Sequence, residues 1–282
     1  MIESIMASDI VPDIISDMVP ESKAGSRNEE QEMKEYKQAI IIGASPLGGE
    51  AEQLQKLLKW AGYGAENPDC SYGCATCRSG CTGKPRKKDI YLIAADGGLK
   101  FLLENRIYPD FFIGDMDSIE DIAISIKKSV KEVLKEVPHE IDPVEKDDTD
   151  MALAVAKAYE KGYQEILIYG GLGGARESHT LANIQLMSHY TKKGCQIQLL
   201  GDGIRMEVLR NGSKPFSSAM KGSLSIICLS DRAESVVIQG LKYEYTGPLT
   251  SDRALGVSNS FIGKDAVISV KEGTLLLVYE RA

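Results

Sequence analysis

Tyr91-Leu92-Ile93-Ala94-Ala95-Asp96-Gly97-Gly98 is an apolar run that stops at a carboxylate and two glycines. Phe111-Phe112-Ile113-Gly114 does the same and enters Asp115-Met116-Asp117-Ser118. Short apolar runs bounded by glycine read as buried strands. Carboxylates at successive strand ends gather on one rim of a sheet, and in open α/β sheets the carboxyl-end rim is where ligands bind. Like charges keep such a rim from holding a polyphosphate directly. It can hold Mg²⁺, which takes oxygen ligands and binds phosphate oxygens in turn. A third acidic stretch, Glu145-Lys146-Asp147-Asp148-Thr149-Asp150, stands directly before a helical pattern. Metal-dependent nucleotide chemistry is the first reading.

Working outward, Ala39–Gly43 is another apolar run ending in glycine, followed by helical spacing of Leu54, Leu57 and Leu58. Helices are expected over 99–105, 119–137, 151–160 and 179–190, and strands over 165–169 and 196–200. Alternating strands and helices through 39–200 imply a mostly parallel sheet with helices on both faces. Beyond Gly201 the helical period disappears. Short β-branched runs at 224–229, 235–238, 266–270 and 275–279 imply a C-terminal all-β sandwich domain. Asn211-Gly212 offers a turn near the boundary. The expected organisation is an acidic N-terminal extension over 1–37, an α/β catalytic domain over 38–205 with a Cys-rich insert at 67–88, and a β-sandwich over 206–282.

The 282 residues carry a net charge of −8, which argues against a general affinity for nucleic acid. No apolar run approaches the roughly 20 residues that span a bilayer, so no membrane is expected. The first 22 residues lack Lys and Arg, hence a basic signal region, and the expected location is cytoplasmic.

Individual motifs leave alternatives open. Asp115 and Asp117 point the same way in extended chain and can share a cation; a solvated turn is the plainer reading. Asp96-Gly97-Gly98 lets backbone approach a ligand, or is a simple βα turn. Thr149 and its neighbouring acids suit a helix cap, which leaves Lys146 available to phosphate. Gly170-Gly171-Leu172-Gly173-Gly174-Ala175-Arg176 suits close approach to phosphate with a forked guanidinium contact, or is a flexible loop. No Gly-Lys-Ser/Thr follows, which excludes a Walker loop. His179 can titrate or merely sit at a helix end. Ser258 and Asn259 can form a turn or hydrogen-bond a ligand.

In this order, ADGG at 95–98, PDFFIGDMDS at 109–118, EKDDTD at 145–150, GGLGGARESHTLAN at 170–183, GLKY at 240–243 and GVSNSF at 256–261 resemble the thiamine pyrophosphokinase family. The resemblance covers about 39–282. It implies an α/β catalytic domain, a thiamine-binding sandwich, ATP and thiamine as substrates, and a homodimer. By position, it makes Asp96, Asp115, Asp117, Asp147 and Asp150 the Mg-ATP carboxylates, with Gly97, Lys146 and Thr149 beside them. Arg176, His179 and Asn183 fall on the nucleotide side, and Ser258 and Asn259 on the thiamine side. The implied reaction gives thiamine diphosphate and AMP. One departure is Ser178, where the family usually carries Asp. It motivates another acceptor alcohol, such as a pterin, as an alternative. A non-catalytic thiamine or nucleotide sensor is the other.

The second departure is Cys70, Cys74, Cys77 and Cys81, four of the six cysteines. Four thiolates can enclose a structural zinc, which would order a segment with little apolar content. An iron–sulfur cluster or free thiols are the alternatives. Cys195 and Cys228 stand in apolar runs and read as buried small hydrophobes.

Overall fold

The structure, a computed structural model, describes residues 37–61, 63, 89–141, 148–174 and 177–280. The expected N-terminal extension and the Cys-rich insert lie outside the described residues, Lys37 excepted.

Six described strands form the parallel array, all expected from the sequence except β4: β1 Lys37–Ile42, β2 Asp89–Ala95, β3 Phe111–Gly114, β4 His139–Ile141, β5 Glu165–Tyr169 and β6 Gln196–Gly201. Their order across the sheet is β6-β5-β1-β2-β3-β4, every neighbouring pair parallel. The connecting helices are α1 Glu50–Trp60, α2 Gly98–Glu104, α3 Met116–Ile126, α4 Val130–Glu136, α5 Asp150–Glu160 and α6 Glu177–Thr191. Buried residues of α5 and α6, among them Ala154, Val155, Ala158 and Met187, pack with Ala39, Ile41, Ile93, Ile166 and Ile168. The alternate residues Ile40, Ile42, Leu92 and Ala94 are equally buried. Side chains of a strand alternate between faces, so both faces are covered.

The apolar stripe over 119–137 reads as one helix, but the chain forms two. Lys127 takes a left-handed conformation (φ 56°) and closes α3. Ser129 then starts α4 with a capping box, its side chain accepting from Glu132 N–H while Glu132 reaches back to Ser129 N–H. Hydrophobic periodicity continues across such a break because both helices lean on the same core. β4 was hidden for a different reason: its three residues sit at the sheet edge with only intermediate or exposed side chains.

After β6 come β7 Ile204–Phe216, β8 Ser223–Cys228, β9 Arg232–Gln239, β10 Tyr245–Thr250, β11 Gly256–Ser260 and β12 Ala266–Glu280. The hairpin at Asp202-Gly203 (φ 52° and 76°) carries the sheet from β6 into antiparallel β7. β12 pairs with β7 along nearly its whole length. On its other side, its first half pairs with β9 and its second half with β8. The sequence pattern divides β12 into two runs and reads Asn211-Gly212 as a turn. Instead, Asn211 (φ 45°) kinks β7 internally, and its Oδ1 accepts from Gly273 N–H at 2.8 Å where β12 bends too. Phe216, Leu224, Ile226, Val236, Ile238, Ile268, Leu275 and Leu277 belong to the buried apolar cluster of these strands.

α2 starts unusually close to β1. A Cβ at Gly98 would lie 1.9 Å from the Ile42 carbonyl oxygen. Gly98→Ala should therefore cost about 3 kcal/mol or more in urea unfolding. Gly162 has positive φ (87°) but open space around it. Gly162→Ala should cost only about 1 kcal/mol, the penalty of left-handed backbone alone. Equal costs would mean that the Gly98 contact relaxes freely.

Candidate active site

The strand order reverses between β1 and β5, since β2, β3 and β4 extend to one side of β1 while β5 and β6 lie on the other. A crevice outside the carboxyl ends at such a reversal is the usual ligand position.

Asp96 ends β2 and Asp115 ends β3, on neighbouring parallel strands. Asp96 adopts left-handed backbone (φ 51°), which Asp tolerates better than most residues, and its N–H donates to Ile113 O at 2.8 Å. Asp115 is the N-cap of α3, with its Oδ1 accepting from Ser118 N–H at 2.9 Å. The Ser118 hydroxyl donates to Asp96 Oδ1. One serine thus ties the two strand-end carboxylates together. Asp117 differs from expectation: it lies in the first turn of α3, exposed, so it does not share an extended face with Asp115. Gly97 is the N-cap position of α2, and a Cβ there would meet the Ala44 Cβ at 3.1 Å.

Thr149 caps α5, its hydroxyl accepting from Ala152 N–H at 3.1 Å, and Asp150 follows in the first turn. α5 connects the carboxyl end of β4 to the amino end of β5, so both residues belong to the same rim. Lys146, Asp147 and Arg176 lie outside the described residues, as do Cys70, Cys74, Cys77 and Cys81. Among the described residues, no group of three or more His, Cys, Asp or Glu is placed to hold a metal ion. The paired carboxylates of Asp96 and Asp115 nonetheless offer the hard oxygen donors that Mg²⁺ takes.

The glycine loop after β5 meets the loop after β1. Gly43 N–H donates to Tyr169 O at 2.7 Å and Ser45 N–H to Gly170 O at 3.0 Å. Asn183, buried in α6, donates its amide to Gly171 O at 2.7 Å. His179 and Ser178 are exposed in the first turn of α6. Burial, reinforced by the Glu50 carboxylate and opposed by Arg205, pushes the Tyr169 phenol well above its ordinary range. Glu50 in turn accepts from Gly203 N–H at 2.6 Å, pinning the β6–β7 hairpin against the start of α1. The loop at 43–49 and Ser118 are the rim elements that motif reading passes over. Their signals were a second glycine pair, Gly48-Gly49, and the serine closing GDMDS.

Ser258 and Asn259 are held elsewhere, in the β region. Asn259 is buried and fully engaged: its Oδ1 accepts from Tyr243 N–H (3.0 Å) and Ser260 N–H (2.9 Å), and its Nδ2 donates to Tyr243 O (2.7 Å). It clasps the GLKY segment to the GVSNSF strand. Ser258 is exposed, with left-handed backbone (φ 58°) at a bulge in β11, and its N–H donates to the Ser225 hydroxyl at 3.0 Å.

Residues 84–199 match the family model for thiamin pyrophosphokinase, catalytic domain, and residues 215–275 that for thiamin pyrophosphokinase, vitamin B1 binding domain, together more than half of the chain. A thiamine pyrophosphokinase of Bacillus subtilis (strain 168) is 29% identical over 189 residues, 66% of this chain and 85% of the relative. Solved structures share the fold. The Bacillus subtilis thiamine pyrophosphokinase superposes with a TM-score of 0.64 at 24% identity, covering 87% of this chain and 99% of that one. The yeast thiamin pyrophosphokinase gives 0.60 at 13% identity, covering 88% and 87%.

Asn259→Ala removes three hydrogen bonds in a buried clasp and should lower unfolding free energy by about 2–3 kcal/mol. Ser258→Ala should change it by less than about 0.5 kcal/mol, since only the backbone of Ser258 is engaged. Urea titrations of both variants measure the contrast; comparable losses would contradict the geometry.

Proposed function

The chain belongs to the thiamin pyrophosphokinase family and is a thiamine diphosphokinase, and we propose that it transfers the pyrophosphoryl group of ATP to the thiamine hydroxyl with Mg²⁺ on the rim carboxylates. The hydroxyl oxygen bonds to the β-phosphorus as the bond from that phosphorus to the α-phosphate oxygen breaks. The products are thiamine diphosphate and AMP, and the hydroxyl proton leaves to solvent or a base. The observation that carries the metal reading is the joining of Asp96 and Asp115 through Ser118 at adjacent strand ends.

Bound there, Mg²⁺ would neutralise charge developing on the transferred phosphates. Asp96 and Asp115 would hold it, with Asp117, Asp147 and Asp150 as further acidic groups of the same motifs. Ser118 keeps the two strand-end carboxylates at a fixed separation before any ligand arrives, which spares reorganisation during reaction. Lys146 and Arg176 contact phosphate. Gly97, Thr149, His179 and Asn183 shape the nucleotide side, Thr149 by starting α5 and Asn183 by holding Gly171. Ser258 and Asn259 serve the thiamine side.

In this reading 38–205 is the catalytic domain and 206–282 the thiamine-binding one. The enzyme works as a homodimer in the cytoplasm. The β region supports a partner surface: Tyr243, Leu255, Val257 and Ile262 are large apolar side chains left exposed around β11, a strand that among the described residues pairs with β8 alone. Among the described residues, no helix is long and apolar enough to cross a membrane.

Purified protein should release AMP from Mg-ATP only when thiamine is present; equal release without thiamine, or preference for a pterin alcohol over thiamine, would overturn the assignment. Asp115→Asn should cost about 100-fold or more in turnover, because the amide keeps the shape but loses the charge. Its stability should change by only a few tenths of a kcal/mol, since Asn caps helices about as well as Asp. A variant with wild-type turnover at low Mg²⁺ would reduce Asp115 to a helix cap.

A further inference from the structure

The glycine loop after β5 is gripped at one residue, through the two peptide groups that flank its Cα. Gly173 O accepts from the Ser45 hydroxyl at 3.1 Å, and Gly173 N–H donates to the Thr180 hydroxyl at 2.9 Å. Ser45 arrives from the loop after β1, 128 positions away in sequence; Thr180 stands in the first turns of α6. Gly173 has φ 62°, and among the described residues no atom beyond its neighbours lies within 4 Å of where a Cβ would be. Packing therefore does not fix this residue, whereas Gly170 and Gly171 are closely surrounded. A glycine without packing samples many backbone states. The two hydroxyls select one of them.

We propose that Ser45 and Thr180 are positioning residues that fix the backbone of Gly173 and so preorganise the loop for the phosphates of ATP. This rests on the reading of that loop as the nucleotide side. Ser45 falls outside both stretches matched by the family models, 84–199 and 215–275. A loop already in its binding conformation spares the ligand the ordering cost, so the benefit appears in affinity for the nucleotide. Thiamine, held by other residues, gains little.

The test is steady-state kinetics with ATP and thiamine varied separately. Ser45→Ala and Thr180→Val should each raise the ATP KM about three- to tenfold, the worth of one hydrogen bond. The thiamine KM should move by less than about twofold, because the loss is confined to nucleotide binding. Ser45→Thr and Thr180→Ser keep the hydroxyl and should restore most of the ATP affinity. The double variant should lose less than the two single losses combined, since both hydroxyls restrain the φ and ψ of one residue. Gly173→Ala strains the same backbone without a clash and tests the loop itself. If Gly173→Ala raises the ATP KM while Ser45→Ala and Thr180→Val do not, the clamp is overturned and the loop reading stands. If none of the three moves it, the loop reading fails and the clamp with it. Equal rises in the thiamine KM, hydroxyl-retaining variants no better than their hydroxyl-free counterparts, or KM shifts only in variants with collapsed thermal melts would also overturn the clamp.

Discussion

Gly43 and Gly170 meet backbone to backbone where β1 and β5 leave the sheet. A Cβ on Gly43 would lie 2.5 Å from Gly170 O, and one on Gly170 would lie 2.5 Å from Gly43 O. Neither position can carry a side chain without separating the two loops. Separation would draw Ser45 away from Gly173 and Ala44 away from Gly97, loosening both the glycine loop and the turn that carries Asp96. The rim is therefore set by a steric constraint at the strand reversal more than by the charged residues that decorate it.

The charged residues have a second use that explains how a dense acidic rim is tolerated. Asp115 and Thr149 cap helices, and Asp117 and Asp150 lie in first turns, where helix dipoles favour negative charge. Each side chain is stabilised locally before any cation binds. Ser118 adds a donor to Asp96 and another to Asp115, reducing the repulsion between them. Capping and metal binding are compatible readings, because a carboxylate has two oxygens and several lone pairs to share.

The parallel sheet was legible because buried strands ending at glycine give a strong local signal, as at Ile90–Gly98. The break at Lys127 was not, because the apolar stripe of α3 continues into α4. β11 escaped notice because its bulge at Ser258 interrupts the alternation that marks a strand. In the site, Asp96, Asp115 and the glycine loop were visible from motif spacing. The contribution of Ser45 depends on a contact between segments 128 positions apart, which no local pattern encodes. Asn259 was legible as an unusual polar residue, but its engagement with Tyr243 emerges only from the pairing of two distant segments.

β12 is an inner strand of the β region and also flanks β7, through which the parallel sheet is extended. It follows in sequence every strand it joins. During synthesis, therefore, β7, β8 and β9 emerge from the ribosome with their central partner still missing. The apolar faces of Leu224, Ile226, Val236 and Ile238 must wait until it arrives. The parallel sheet can assemble as it is made, whereas the β region closes only after release of its final strand.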